Sequence, residues 1–454
     1  MQHKPRIIVF LFFLIYPIGV TKFAPYGVAV FVALMWLMSF KELKMAILLN
    51  KKDYEAIIGN VGGITGFIPS NHKPKERKAY LGWKELGPVI NEKGERNMVT
   101  LKALVPFQHV LKYVGFKGNV NAYPNKLVWF TFMFGACQEA KLYQSCIPEF
   151  DEAFRPDPQH INLLIDVLNS TNRPGYGRGY YGWGEAGTGK TSTAHWLMAV
   201  TNTACVQLNC KPNIECEEMF VSHTARNGVW STIDGPILQA IKRNWPLIID
   251  EMDLAPAEFI PALNNLIEGR KFSVTFCDQM IQAGDNFKVI GFGNTSGSGL
   301  EVGLYNGRSQ LDSSSLDRMY KDYYEPLSED KYMQIIKSNG FDVDQEIAEN
   351  LANFVVKINK SVREEHSLPE MISPRGLISI LNSIQENGGI VKNPLLYAIG
   401  SVMGSILESK EYLEKMFSIY AITLAKGNMA VNMIEEQWKH RYELVSDNDA
   451  AAEN

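Results

Sequence analysis

The sequence is short of several features that mark specialised proteins. Its 454 residues contain only six cysteines. None of them forms a C-x-x-C pair, so a zinc knuckle or a redox motif has little support and buried free thiols are expected. The net charge of −4 argues against a protein that coats nucleic acid, although it leaves a local basic surface open. With 46% apolar and 21% charged residues, the composition is that of a globular chain of two or three domains.

The N-terminus differs from the rest of the chain. Two apolar runs, Ile7–Val20 and Ala24–Phe40, are near the lower length limit for a membrane-spanning helix, and basic residues lie on both outer flanks. We therefore expect a transmembrane hairpin over residues 1–44, in contact with membrane lipid, with both ends cytoplasmic. A cleaved signal peptide, a single tilted span and a buried soluble hairpin are the alternatives.

A phosphate-binding loop is predicted at Gly184–Thr191. The stretch "GEAGTGKT" matches G-x-x-x-x-G-K-[ST], and it lies between a predicted strand, "GYYGW", and a predicted helix, "STAHWLMAV". Lys190 is expected to reach the β- and γ-phosphates of ATP, and Thr191 to hold Mg²⁺. A glycine-rich turn with a chance lysine is the alternative. The predicted nucleotide-binding residues are Gly184, Glu185, Ala186, Gly187, Thr188, Gly189, Lys190, Thr191 and Ser192.

A second motif, "PLIIDEMDLAP", ends an apolar run in acidic residues. This pattern predicts a short buried strand whose last residues emerge at the edge of the sheet, although the start of a helix would also favour acids. Together with the phosphate loop, it predicts that Asp250 binds Mg²⁺ and that Glu251 polarises the attacking water. Asp253 is expected either to cap the following helix or to pair with a base.

The order of elements predicts an α/β core followed by helices. Apolar runs near residues 204, 246 and 287 alternate with helical stretches, which is typical of a parallel sheet covered on both faces. Residues 45–154 carry no catalytic pattern and could form an α+β or a helical domain. The predicted divisions are a hairpin anchor at 1–44, an accessory domain at 45–154, an α/β core at 155–328, a helical lid at 329–440 and a polar tail at 441–454.

The ordered motifs resemble those of AAA+ ATPases with a P-loop NTPase core, in the branch of MoxR-type and dynein-related proteins. The small subunit of aerobic cobaltochelatase is the most similar type, through "GFGNTSGSGLEVGLYNGRSQLDSSSLDRMY" at Gly291–Tyr320. By this resemblance Asn294 is the sensor-1 residue that orients the attacking water. Arg318 is the arginine finger that reaches the nucleotide of a neighbouring subunit, with a surface salt bridge as the alternative. Arg308 is a second candidate for that role.

Two further segments resemble functional parts of the same branch. "MISPRGLISIL" is similar to the sensor-2 motif, so Arg375 is expected to contact the γ-phosphate from the lid. Ser373 and Pro374 also predict a helix start there, as an N-cap and a first-turn proline. Arg226 and Trp230 lie where relatives carry an insert that lines a central pore, and an ordinary surface loop explains them equally well.

The resemblance implies an ATPase that uses ATP and Mg²⁺ and assembles into a ring, most simply a hexamer. With the N-terminal hairpin, we expect a membrane-anchored enzyme with a cytoplasmic ATPase domain that remodels a protein partner. A partner with a von Willebrand A domain is expected from the resemblance alone. The alternatives are a membrane-associated nucleic-acid translocation motor of a plasmid or virus, a chelatase-like subunit for metal insertion, and a nucleotide-gated scaffold.

Overall fold

The structure is a computed structural model that describes most of the chain from residue 84 to residue 445. The described ranges are 84–90, 96–134, 138–170, 179–212, 215–226, 229–256, 258–274, 279–298, 308, 310–341 and 343–445. The predicted membrane hairpin and most of the polar tail lie outside these ranges. Within them, no helix is both long enough and apolar enough to cross a bilayer.

The described ranges contain twelve strands and fourteen α-helices. The strands are β1 (Lys84–Ile90), β2 (Arg96–Pro106), β3 (Leu127–Phe134), β4 (Gly179–Gly184), β5 (Val206–Asn209), β6 (Val221–Arg226), β7 (Val229–Asp234), β8 (Leu247–Asp250), β9 (Phe272–Val274), β10 (Gln279–Ile281), β11 (Val289–Gly293) and β12 (Met319–Tyr324). The helices are α1 (Phe107–Tyr113), α2 (Gln138–Ser145), α3 (Pro158–Asn169), α4 (Lys190–Val200), α5 (Cys216–Phe220), α6 (Pro236–Arg243), α7 (Phe259–Ile267), α8 (Ser313–Leu316), α9 (Glu329–Ser338), α10 (Gln345–Arg363), α11 (Pro374–Asn387), α12 (Pro394–Val402), α13 (Lys410–Thr423) and α14 (Val431–Lys439).

The chain divides into two compact units. The second unit consists of Ala153–Arg155, Trp183–Lys190 and the chain from Tyr323 onward, and the first unit holds the remainder. The phosphate loop therefore groups with the C-terminal helices, and the chain returns to the first unit at Thr191. This grouping follows residue contacts and differs from the divisions expected from the sequence, which stay predictions.

The core of the first unit is a five-stranded sheet in the order β12-β4-β11-β8-β5. Strand β8 pairs in parallel with β11 on one side and with β5 on the other. The apolar residues of β8 and every residue of β11 are buried, as expected for strands covered on both faces. The predicted α/β core with a parallel sheet is therefore present, and the edge strand β12 is an element that the apolar pattern did not predict.

Two short antiparallel hairpins extend from this core. Strands β6 and β7 pair between α5 and α6, and strands β9 and β10 pair between α7 and β11. The first hairpin occupies the position of the predicted insert. Arg226 pairs with Val229, and Trp230 with Ala225, so both candidate pore residues lie at the turn end of that hairpin. Their role stays a prediction.

A three-stranded antiparallel sheet, β1-β2-β3, precedes the core and packs into the same unit. The backbone N–H of Thr131 in β3 donates to Thr201 O at 3.1 Å, directly after α4. An aromatic cluster lies beside this contact: Trp196 of α4 stacks on Tyr123 with 5.8 Å between ring centroids and meets Phe107 and Phe116 edge-on. The side chain of Trp196 is 2% exposed, so this cluster closes over the helix that follows the phosphate loop.

The second unit is a bundle of the helices α9 to α14 around an apolar core. Helix α11 begins as the sequence predicts, because Ser373 Oγ accepts a hydrogen bond from Gly376 N and Pro374 occupies the first turn. Helix α10, the longest at 19 residues, buries one face in the core and ends at Arg363. The described residues between 329 and 440 are therefore mostly helical, and the bounds of the predicted lid stay a prediction.

Candidate functional site

The predicted magnesium ligands lie together in the first unit. Thr191 is the second residue of α4, and Asp250 ends β8 at the carboxyl edge of the sheet. The hydroxyl of Thr191 donates to Asp250 Oδ1 at 2.9 Å. Two neighbouring ligands of an octahedral Mg²⁺ ion lie about 3 Å apart, since each is about 2.1 Å from the metal. A hydroxyl and a carboxylate at this separation fit the ion chemically.

Glu251 follows Asp250 in an unusual backbone conformation. Its φ of 53° and ψ of 40° place it in the left-handed region, which non-glycine residues seldom adopt. The preceding Asp250 Oδ1 accepts a hydrogen bond from Glu251 N at 3.1 Å and helps to hold this turn. The turn separates the two carboxylates at the end of one strand. Asp250 faces Thr191, and the Glu251 side chain takes different partners.

Asn294 lies at the end of β11, the strand next to β8. Its side-chain amide Nδ2 is 3.5 Å from Glu251 Oε2, at the outer limit of a hydrogen bond. The predicted sensor residue and the predicted catalytic acid are therefore neighbours in space although 43 residues separate them in the chain. This arrangement follows from the parallel pairing of the two strands.

Asp253 is completely buried in the short 3-10 helix Met252–Leu254. Its Oδ2 accepts hydrogen bonds at 2.9 Å from Asn294 N, from Thr295 N and from Thr295 Oγ1. Gly293 makes this close approach possible, because a Cβ at that position would lie 2.9 Å from Asp253 Cγ and 2.3 Å from the hydroxyl of Tyr181. Asp253 thus fixes the start of the segment that follows β11.

Arg308 is the base with which Asp253 pairs. Its Nη1 contacts both Asp253 Oδ1 and Glu251 Oε2, so one guanidinium bridges the two acids. Burial alone lowers the pKa of Arg308, but the hydrogen bond that Arg308 donates to Glu251 and the charges of both acids outweigh it and raise that pKa. The sequence suggested Arg308 only as a second finger candidate, whereas the structure gives it partners within its own chain.

Two further groups interact electrostatically with Asp250, and the shifts of their pKa values favour the uncharged forms. Burial, followed by the neighbouring carboxylates, raises the pKa of the Cys210 thiol to about 12. Burial lowers the pKa of His195, and the charge of Asp250 only partly opposes it. Neither residue was singled out in the sequence. Because both stay neutral, the carboxylates define the charge of this site together with Arg308.

The second unit contains the phosphate loop. Gly187 and Gly189 have φ values of 83° and 88°, the left-handed conformation that allows successive N–H groups to turn toward one point. The ammonium of Lys190 donates to Gly184 O at 2.8 Å and to Glu185 O at 2.7 Å. The loop residues expected to bind ATP thus have the backbone form of a phosphate cradle. Ser192 lies exposed in the first turn of α4.

The lid contacts the phosphate loop within this unit. Arg363, the last residue of α10, donates to Glu185 Oε2 at 3.1 Å, and both side chains are less than a quarter exposed. Burial raises the pKa of the nearby Tyr332 to about 12, with Glu185 as a further raising charge. A cleft is lined there by Glu185, Ala186, Gly187, Thr188, Leu327, Tyr332, Asn359, Met371, Ile372, Ser373 and Pro374. Sequence reasoning missed Arg363, because no motif marks the end of α10.

The two predicted arginines have different surroundings. Arg375 is exposed in the first turn of α11, near the Ser373–Pro374 wall of the cleft. Arg318 donates from Nε to Glu268 Oε1 at 2.7 Å and from Nη1 to Ser314 O at 2.6 Å. This is the salt bridge that the sequence left open as the alternative, formed within one chain. The proposed contact with a neighbouring subunit stays a prediction for Arg318.

The part of the chain that carries these residues is similar to a known domain. Residues 183–319 match the sequence model of the AAA domain, dynein-related subfamily. This chain carries an AAA domain. The matched range of the AAA domain begins one residue before the phosphate loop and ends one residue after Arg318, so it includes both acids and Asn294.

Two similar proteins are described only as uncharacterized. An uncharacterized protein of Staphylococcus haemolyticus is 26% identical over 207 residues, which cover 44% of this chain and 76% of that protein. An uncharacterized protein of Staphylococcus aureus is 24% identical over the same shares. A crystal structure of a candidate ATPase from Cytophaga hutchinsonii covers 59% of this chain and 86% of its own at 14% identity, with a TM-score of 0.28.

Proposed function

We propose that this chain is an ATP hydrolase in which the first-unit residues Thr191, Asp250, Glu251 and Asn294 activate water. The observation that carries the proposal is the 2.9 Å contact between Thr191 and Asp250, with Glu251 next in the chain and the Asn294 amide beside it. A hydroxyl with one carboxylate is a donor set that Mg²⁺ accepts together with phosphate oxygens. Bound Mg²⁺ would neutralise charge on the β- and γ-phosphates.

The chain's own residues then have separate tasks. Lys190 exchanges its loop carbonyl acceptors for phosphate oxygens, and the glycines of the loop offer N–H groups to the same phosphates. Glu251 takes the proton of the attacking water, and Asn294 orients that water by hydrogen bonding. Arg318, supplied to a neighbouring copy, and Arg375, supplied by the lid, stabilise charge on the γ-phosphate as it is transferred.

The oligomeric state, the membrane anchor, the partner and the branch of the family are further proposals, which rest on the sequence and on the AAA domain. We infer a homo-oligomeric ring, most simply a hexamer. If each copy supplies its Arg318 to the nucleotide of the next copy, every copy needs a neighbour on both sides, and a closed ring provides this. We also infer a membrane anchor at residues 1–44 and a protein partner that the ring remodels. The MoxR-type branch is the proposed placement within the family, and the cobaltochelatase type is the proposed nearest form.

Replacement of the proposed base tests this function. Glu251→Gln in detergent-solubilised full-length protein is expected to bind ATP and Mg²⁺ as the wild type does and to lose about 10²- to 10⁴-fold in turnover. Glu258→Gln is the matched control, because Glu258 is an exposed acid at the start of α7 and makes no side-chain capping bond. Equal turnover in Glu251→Gln and in the wild type would refute the proposal.

A further inference from the structure

The guanidinium of Arg308 joins two acids that have different freedom to move. Asp253 is fully buried, and its second oxygen is already held by three donors from Asn294 and Thr295. Glu251 has a side chain that is 34% exposed. Arg308 itself is 13% exposed. Asp253 is therefore held in place, Arg308 connects it to Glu251, and the Glu251 side chain is the one with room to move.

The link constrains the oxygen on which the proposed chemistry depends. Glu251 Oε2 is the atom that faces the Asn294 amide, and the same oxygen accepts the contact from Arg308 Nη1. A carboxylate that must accept a proton from water needs an oxygen directed at that water. While Arg308 Nη1 holds Oε2, that oxygen is occupied by a cation and is not free to take a proton from water.

Charge makes this contact persistent. Hydrogen bonds between a guanidinium and a carboxylate are among the stronger ones in proteins, and low exposure reduces their screening. Arg308 is protonated at neutral pH, as arginines in proteins are, and the two acids raise its pKa further. Loss of the contact therefore requires a competing group or a displacement of Arg308. A change of pH in the neutral range does not release it.

We propose that Arg308 restrains Glu251 in cis, so that the isolated chain hydrolyses ATP slowly and turnover requires Arg308 to release the Glu251 carboxylate. The proposal rests on the proposed function, in which Glu251 is the base. It makes Arg308 a positioning residue that acts through Glu251. It differs from the expected role of Arg308 as a second arginine finger, in which its loss would slow hydrolysis.

Steady-state ATP turnover of the full-length protein tests the restraint with Arg308→Gln, which leaves a shorter polar side chain without the charge. We expect kcat to rise roughly tenfold or more, since a charge-assisted hydrogen bond lost from the resting state is of that size, while KM for ATP changes little. The kcat of Arg308→Lys is expected to lie between that of the wild type and that of Arg308→Gln. Arg270→Gln is the matched control, because Arg270 is an exposed arginine paired with Glu268.

Two additional measurements separate the restraint from a structural role and from failure of the proposed function. In a Glu251→Gln background, Arg308→Gln is expected to give no acceleration, because the restrained base is absent. Thermal unfolding of Arg308→Gln reports whether the first unit remains folded. A folded Arg308→Gln variant with unchanged or lower kcat overturns the restraint while the Glu251→Gln result stands. Loss of any dependence on Glu251 overturns the proposed function instead.

Discussion

Replacement of Gly187 by alanine tests the packing of the phosphate loop against the lid. Gly187 has a φ of 83°, and a Cβ at this position would lie 2.8 Å from Pro374 Cδ and 3.0 Å from Ser373 Cβ. The left-handed backbone alone costs an alanine about 1–2 kcal/mol. The overlap adds about 1–3 kcal/mol, because a proline ring and the N-cap of α11 cannot turn away as a flexible side chain could.

The matched control is Gly427→Ala. Gly427 has a φ of 74° in the turn between α13 and α14, and a Cβ there would meet nothing within 4 Å. This variant carries the backbone cost without the overlap, so the difference between the two variants isolates the contact with Ser373 and Pro374. We expect nucleotide-free Gly187→Ala to unfold several degrees below Gly427→Ala in a thermal melt of the full-length protein.

Melting of the two glycine variants within roughly 1 °C of each other would contradict the expected overlap, because that difference is too small for it. Such a result would mean that the Ser373–Pro374 turn yields to the loop at little cost. ATP binding of Gly187→Ala, measured separately, then reports whether the displaced turn also disturbs the phosphate cradle.

Two further predictions concern ion pairs. In a double-mutant cycle of Glu185→Gln and Arg363→Gln, the free energies of unfolding in urea are expected to show a coupling of roughly 0.5–1.5 kcal/mol. This size is expected because the two side chains are only partly exposed. Additive effects would show that the contact does not hold the lid. Arg318→Ala is expected to lower turnover by about 10³-fold or more if its guanidinium acts on a neighbouring subunit. Glu268→Gln breaks the same salt bridge but keeps that guanidinium, so equal losses in both variants would reduce Arg318 to a structural role.

Much of the α/β core could be predicted because its signals are local. The apolar runs that became β8 and β11 are buried on both faces, and the phosphate loop is specified by glycines within eight residues of each other. The start of α11 was equally readable from Ser373 and Pro374. In each case the residues that determine the structure are neighbours in the chain.

The remainder depends on contacts between distant residues. Strand β12, "MYKDYY", has two adjacent exposed residues and a buried aspartate, Asp322, in its middle, so it carries no regular apolar pattern that marks a strand. Arg308 pairs with acids 55 and 57 positions away, and Arg363 with a loop residue 178 positions away. No local pattern marks such partners, so the sequence predicted the acids and the loop, offered Arg308 only as a second finger candidate and did not single out Arg363.

The aromatic cluster around Trp196 has a consequence for how this AAA domain can be divided. Tyr123, Phe107 and Phe116 cover a tryptophan on the helix that starts at Lys190. A fragment that began at residue 155 would keep every predicted catalytic residue, yet it would expose that tryptophan and leave the backbone after α4 without Thr131. The segment before the ATPase core is therefore a permanent part of its hydrophobic interior. If this segment were exchanged between relatives, the residues of α4 that face it would have to be exchanged with it.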